Sequence, residues 1–349
     1  MNAYYFKHLL KFNVPSGTSR GILNQKESWF IVILSGNNYG IGECSLITGL
    51  SIDPVSTYEL KLKDICSKIH LGFEILSQEL EEYPSILFGL ESAYRSFHSI
   101  DPFIFSKSNL INGNNSLPIN GLIWMGEKSY MKNQIKEKIQ SGFNCIKIKV
   151  GALDFKLECD LLSWLRSEYL ESDLEIRLDA NGSFSLSSAF NKLQKLSDFK
   201  IHSIEQPIKT KQWHEMAFLC EKSPIPIALD EELVGMCNFT DQKRMLKDIK
   251  PQYIIIKPSL IGGLKKSNDW VKLAESLKIK WWCTSALESN IGLNIIAQWI
   301  FLKTPKVTQG LGTGMLFSNN IESPYSIERG YLKYDSKKTW NTDLFKNYI

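Results

Sequence analysis

The stretch CIKIKVG, residues 145–151, decides how this chain is to be read. It has the composition of a buried strand, yet it carries two lysines, Lys147 and Lys149. A strand repeats every two residues, so both ammonium groups leave on one face while Ile146, Ile148 and Val150 leave on the other. Two like charges side by side in a core are unfavourable unless the face they share is a built polar site. The segments on either side bear on whether such a site exists.

Downstream, the same kind of apolar run returns. LEIRLDANG ends at Gly182, IHSIEQP at Pro207, IPIALDEE at Glu232, YIIIKPS at Ser259 and KWWCTSA at Ala286. The spacing is roughly 25–30 residues, and amphipathic segments fill the gaps over 155–169, 186–196, 211–221, 240–250, 265–278 and 290–303. NGLIW (120–124) adds an earlier strand and VTQGLG (307–312) a later one, for eight β units with seven intervening helices. Strands alternating with helices predict a parallel sheet, and eight of them predict closure into an α/β barrel of TIM-like (β/α)7β form. Upstream the pattern differs. YYFKHLLKF, SWFIVILS and YGIGEC read as three strands, with a turn at Gly36–Asn38, followed by helices over 54–70 and 84–99. The polar run 106–120 reads as a linker between two domains.

The totals narrow the function classes. A net charge of +4 over 349 residues, with no basic block, gives little support to nucleic-acid binding. Seven scattered cysteines without a C-x-x-C read as reduced thiols in a cytosol-like compartment. The N-terminus lacks a signal-peptide core, and runs such as WFIVIL are too short to span a bilayer. The expectation is a soluble cytoplasmic protein acting on a small molecule, without nucleic-acid or membrane partners; a homo-oligomer is compatible with everything above.

A parallel barrel gathers its functional groups at the C-terminal ends of its strands. There this chain places Lys147 and Lys149, then Arg177, Asp179 and Asn181, then Glu205, Asp230 with Glu231, Lys257, and Ser285 with Glu288 beyond. Singly, Asp179, Glu205 and Asp230 read equally well as salt-bridging carboxylates. Together, three acids on three consecutive strands repel one another in a low-dielectric site and call for a cation. Hard oxygen ligands without Cys or His point to Mg2+, with Mn2+ as a substitute. Lys149 and Lys257 face each other across the barrel mouth. They read either as charge balance for the acids or as a general base, Lys149, and an opposing cation, Lys257. Lys147, Lys257 and a dication would all favour the neutral form of Lys149, with Lys147 in support. GLGTG at 310–314 offers backbone N–H groups for an anion or forms a plain turn. IGGL at 261–264 reads as a turn, the five histidines as structural, and the tryptophans as packing.

This set of residues resembles the enolase superfamily, in its muconate-lactonizing subgroup: K-x-K on the second barrel strand, D-x-N on the third, E on the fourth, D-E on the fifth and K on the sixth. Within the subgroup, SGTSRG (16–21), GIGECSLITGLS (40–51) and GLGTGMLFSNNI (310–321) are most similar to the o-succinylbenzoate synthase family. The resemblance implies an α+β capping domain over residues 1–112, a barrel over 113–317, and a terminal segment, 318–349, that packs back on the cap. It implies a hydro-lyase of menaquinone biosynthesis. Mg2+ held by Asp179, Glu205 and Asp230 would acidify a C–H beside the substrate carboxylate. Lys149 would take the proton toward an enediolate and return it to the departing hydroxyl on the same face. Lys257 would stabilise the anion from the other side. Asn181, Glu231 and Arg177 would orient groups or bind anions, and Ser285, Gly312, Thr313, Ser19 and Arg20 would contact substrate. The chain departs from the pattern in two places: Glu232 stands where the family has a serine after D-E, and Leu46-Ile47 where a proline is usual. The alternative is an N-acylamino acid racemase or dipeptide epimerase on the same barrel, although the D-x-D of the latter is replaced here by Gly312-Thr313-Gly314. A metal-dependent hydrolase would want histidine ligands on the strands, and a non-catalytic binding protein would have lost some of the charged strand ends.

Overall fold

The computed structural model describes residues 1–18, 21–304 and 306–349. β1 (Asn2–Thr18), β2 (Gly21–Ser35) and β3 (Asn38–Cys44) pair in that order as an antiparallel sheet. β2 turns into β3 through Gly36, which adopts a φ of 59° that suits glycine. Trp29, Ile31 and Ile33 alternate onto one face and pack on α1 (Tyr58–Ser67), α2 (Phe73–Leu76) and α3 (Pro84–Phe97). β3 lies so close to α3 that a Cβ on Gly42 would stand 1.9 Å from the carbonyl oxygen of Gly89. α3 starts at a proline, whose missing N–H costs nothing there. Asp53 accepts from the backbone N–H (3.0 Å) and hydroxyl (2.7 Å) of Ser85 in its first turn.

The second unit alternates strand and helix. β4 (Ser116–Pro118) precedes β5 (Gly121–Ile123), α4 (Lys128–Gln140), β6 (Cys145–Lys149), α5 (Phe155–Glu168), β7 (Glu175–Asp179) and α6 (Leu186–Ser197). Then follow β8 (Ser203–Glu205), α7 (Trp213–Lys222), β9 (Ile227–Leu229), α8 (Phe239–Ile249), β10 (Tyr253–Ile256), α9 (Pro258–Ile261), α10 (Gly263–Ser276), β11 (Lys280–Cys283) and α11 (Asn290–Lys303). Among the described residues, β5 to β11 hydrogen-bond in sequence order as a seven-stranded parallel sheet. Ile146, Ile148, Ile176, Leu178 and Ile204 leave its outer face and pack under the helices. The other face carries Lys147, Lys149, Arg177, Asp179 and Glu205, as the CIKIKVG alternation predicts, beside a small apolar cluster of Ala228, Ile255 and Trp282.

Two local differences from the sequence-based expectation have physical reasons. The expected eighth strand, 307–312, is reduced to two parallel bridges, Ile119 to Gln309 and Thr284 to Gly310. Gly310, Gly312 and Gly314 have little strand propensity, and Gly312–Met315 coils into a 3-10 turn. The ring is closed all the same. Gly310 N–H donates to Cys283 (2.8 Å), and Asn120 N–H donates to Gln309 (2.9 Å). Second, the polar run 106–120 ends in a strand. β4 pairs with β13 (Tyr331–Tyr334), which forms a hairpin with β12 (Tyr325–Glu328). Farther on, Trp340, Leu344, Phe345 and Tyr348 pack with Phe6, Phe30, Val32 and Phe103 on the second face of the N-terminal sheet. The seven cysteines are free thiols. No helix among the described residues is long and apolar enough to cross a membrane.

Candidate active site

Parallel pairing sets the level of each side chain. Lys149 is in register with Asp179, and Asp179 with Glu205, so three charged residues end adjacent strands at one height. Asp230 follows β9 immediately and Lys257 follows β10. The side chains meet. Lys147 Nζ lies 2.9 Å from Asp179 Oδ2 and 2.6 Å from Glu205 Oε2. Lys149 Nζ lies 2.9 Å from the same Asp179 oxygen and donates to Asn181 Oδ1 at 2.7 Å. Lys257 pairs with Asp230. Asn181 Nδ2 donates to Glu231 at 2.9 Å. The two lysines of CIKIKVG therefore do not face each other bare: one Asp179 oxygen stands between them.

Burial gives these charges their strength. Asp179, Glu205 and Asp230 are each 2% exposed or less. Burial would raise Asp179, but Lys147, Lys149 and Lys257 outweigh it and hold the carboxyl well below its ordinary range. Asp230 is likewise pulled up by burial and held low by Lys257 and Lys147. Glu205 goes the other way, pushed well above a usual carboxyl by burial and then by Asp179. Burial would lower Lys147 and Lys257, yet the surrounding carboxylates raise both. Neighbouring acids with opposite shifts are what a like-charge cluster in a low dielectric produces.

Whether a cation fits this cluster depends on its donor set. Among the described residues no three acidic, histidine or cysteine side chains form a closed cage, and lysine ammonium groups are seated among the carboxylates. The chemistry nevertheless fits a hard divalent ion: all donors are oxygens, and Glu205 Oε1 is buried without a hydrogen-bond partner.

Backbone and outer contacts support the cluster. Asn181 and Gln206, just past β7 and β8, hold φ of 44° and 39°, a sparsely populated region for side-chain-bearing residues. Gln206 Oε1 accepts from the backbone N–H groups of Asp230 and Glu232, both at 3.3 Å. Glu232, in the family's serine position, accepts from Trp213 Nε1 and Lys211 N–H, both at 2.8 Å. It anchors the outside of the loop and leaves the Asp230 side chain free to face inward. Gln206 was missed in the sequence, where IEQP reads only as a strand end and carries no sign that the amide is buried.

Other expected site residues fall elsewhere. Ser285 and Thr313 come together, hydroxyl to hydroxyl at 2.7 Å, next to the Gly312 turn. Arg177 is turned to the opposite end of the barrel. It pairs with Glu175 at 2.7 Å, donates to the carbonyl of Thr308 at 3.0 Å and lies 4.4 Å over the ring of Trp282. Being two residues before Asp179, it shares that face but not that level. Glu288 is buried, bonded to Ser259 and to Ala286 N–H. Ser19 and Arg20 lie outside the described residues.

Comparison with known proteins agrees with this architecture. Residues 130–338 match the family model described as enolase C-terminal domain-like. The chain is 41% identical to o-succinylbenzoate synthase of Desulfotalea psychrophila, over 95% of this chain and 98% of that one. The crystal structure of MenC from the same organism superposes with a TM-score of 0.85 at 38% identity, covering 95% of this chain and 99% of that chain. A dipeptide epimerase from Cytophaga hutchinsonii, solved with Mg and D-Ala-L-Val, superposes at 0.84 over 99% of this chain and 97% of that chain; its 18% identity speaks for the fold alone. The chain belongs to the enolase superfamily and, within it, to the o-succinylbenzoate synthase family.

Proposed function

We propose that the protein is a cytoplasmic hydro-lyase. It would convert 2-succinyl-6-hydroxy-2,4-cyclohexadiene-1-carboxylate to 2-succinylbenzoate, a dehydration in menaquinone biosynthesis. One observation carries the reading: Lys149 and Lys257 rise from opposite sides of the ring and both reach the same set of buried carboxylates. The choice of substrate is supported by the Desulfotalea relative. On this reading residues 1–112, with 318–349, cap a barrel of residues 113–317.

Asp179, Glu205 and Asp230 would hold Mg2+ (or Mn2+), which would stabilise the negative charge developing on the substrate carboxylate. Lys149, positioned by Asn181, takes the proton from the carbon beside that carboxylate. The resulting ammonium stands on the same face as the leaving hydroxyl and protonates it, so one residue serves both halves of a syn elimination. Lys257 offsets the anionic charge from the other face, and its ammonium can lie against the ring as it becomes aromatic. Lys147 bridges Asp179 and Glu205 and keeps the two acids at one height. Glu231 orients Asn181, and Ser285, Thr313 and the Gly312 amide line the wall that faces the succinyl group. Arg177 has no part in this scheme, because its guanidinium is bound at the far end of the barrel.

The test follows loss of the diene absorbance in the ultraviolet, with Mg2+ and with chelator. Turnover should require the metal, and Lys149→Ala should lower kcat by 1,000-fold or more, on the order of 4 kcal/mol in the barrier. Mn2+ affinity, read by titration, should survive the substitution. A near-normal rate in Lys149→Ala would remove the base from the scheme. Racemisation of N-acylamino acids without dehydration would replace the lyase reading by the epimerase one.

A further inference from the structure

We infer that Glu43 and Ser45, which do not touch the carboxylate–lysine cluster, are positioning residues that set the wall of the barrel mouth formed by residues 285–289. The kinetic part of this inference rests on the dehydration reading above; the structural part does not. Both side chains are fully buried, and being two apart they leave β3 and its extension on the same side.

Apart from Ser28 on the neighbouring strand, their side-chain hydrogen bonds go to one loop and the helix it feeds. Ser45 Oγ donates to the carbonyl of Ala286 at 2.9 Å. Glu43 Oε1 accepts from Ser289 N–H at 2.9 Å. Its Oε2 accepts from the Ser289 hydroxyl at 2.5 Å and from Gly292 N–H at 2.9 Å. A carboxylate is thus seated on the first turn of α11, where free N–H groups and the helix dipole favour it. Ser28 Oγ donates to Glu43 Oε1 at 2.6 Å and accepts from buried Lys26 at 2.8 Å, so the anion also has a cation within one hydroxyl.

The clamped loop needs holding. Leu287, between the Ser45 and Glu43 contacts, has a φ of 61°, which leucine rarely adopts. In that conformation Leu287 joins Leu10, Phe12, Leu23, Trp124 and Phe317 in an apolar cluster. Trp124 follows the end of β5 and Leu287 follows β11, so this cluster borders the mouth. Ser285, one residue before the first clamp, is left with its hydroxyl on Thr313. The N-terminal sheet therefore dictates, through two side chains, where a polar and an apolar part of the wall stand. These groups meet the substrate away from the reacting carbon, so misplacing them weakens ground state and transition state alike.

The experiment compares Glu43→Gln and Ser45→Ala with Leu62→Ala, which loosens the other face of the same sheet. Both clamp variants should raise KM for the cyclohexadiene carboxylate at least tenfold, leave kcat within about threefold, and speed amide exchange at Ala286 and Ser289 at least tenfold. Leu62→Ala, at a similar loss of Tm, should leave KM and those amides unchanged. Ser45→Ala decides the matter if Glu43→Gln fails to fold. Unchanged exchange at the two amides in the clamp variants, or an equal rise of KM in Leu62→Ala, overturns the inference. If the wild-type protein does not turn over this substrate, the functional reading fails and the exchange measurement still decides the clamp.

Discussion

Asn181 does two things at once at the site. Its side chain accepts from Lys149 at 2.7 Å and donates to Glu231 at 2.9 Å, and its backbone adopts a φ of 44°. Asparagine tolerates that conformation, and glycine tolerates it with no side chain at all. Asn181→Gly therefore separates the amide from the turn. Its melting temperature should stay within about 2 °C of wild type, because the turn is preserved. Its kcat should fall roughly 10- to 100-fold, because Lys149 loses the group that orients it. A thermal melt and a dehydration assay check both, and an unchanged kcat would leave Asn181 as a turn residue only. At this scale the charged strand ends were legible because an ionisable residue on an apolar strand is improbable as packing. Glu43, Ser45 and Gln206 were not, because nothing in GIGECS or IEQP shows that the polar side chain is buried against a distant segment. Arg177 was misjudged for a related reason: period two gives the face of a strand but not the depth along it.

Among the elements, α3 carries a built-in electrostatic strain. Asp53 caps its first turn through Ser85, but burial raises the Asp53 carboxyl to about 6 despite those hydrogen bonds. The folded protein thus holds this proton more tightly than the unfolded chain, whose aspartates titrate near 3.9. Between about pH 4 and pH 6 the folded state binds more protons, so this group's contribution to stability falls as pH rises through that window. The shift corresponds to on the order of 3 kcal/mol at most. Asp53→Asn keeps an oxygen for Ser85 and cannot ionise. Its urea-denaturation midpoint should vary less across pH 4–6 than that of wild type; equal slopes would assign the effect to other groups. Element identity was largely legible. α11 runs over the stretch its periodicity predicts, and β6 keeps the alternation of CIKIKVG. The eighth stave was not legible as two bridges. Ring closure there uses backbone groups of Gln309 and Gly310 against two different neighbours, a long-range fact with no local signature.

Across the whole molecule, the chain returns to where it began. Trp340 stacks on Phe103 at 4.6 Å between centroids, and Tyr348 stacks on Phe6 at 4.8 Å. Phe345 is fully buried against Phe6 and Phe30. Phe345→Ala should destabilise the protein by about 3–5 kcal/mol, the usual range for emptying a buried aromatic site. Chemical denaturation checks this, and a loss below about 1 kcal/mol would mean that the surrounding aromatic side chains close over the space. The barrel class was legible from rhythm alone, since each stave and helix is local. The seating of residues 340–348 on β1 and β2 has no such local pattern, because it joins segments more than three hundred residues apart; only the family resemblance implies that the terminal segment packs back on the cap.

That seating bears on how the protein is born. One face of the N-terminal sheet takes much of its aromatic covering from residues 340–348, so on a ribosome Phe6 and Phe30 emerge long before Phe345 and Tyr348 do. Through most of synthesis those two rings lack part of their native cover, and a nascent chain stalled before Trp340 would offer chaperones an aromatic surface that the finished enzyme keeps covered.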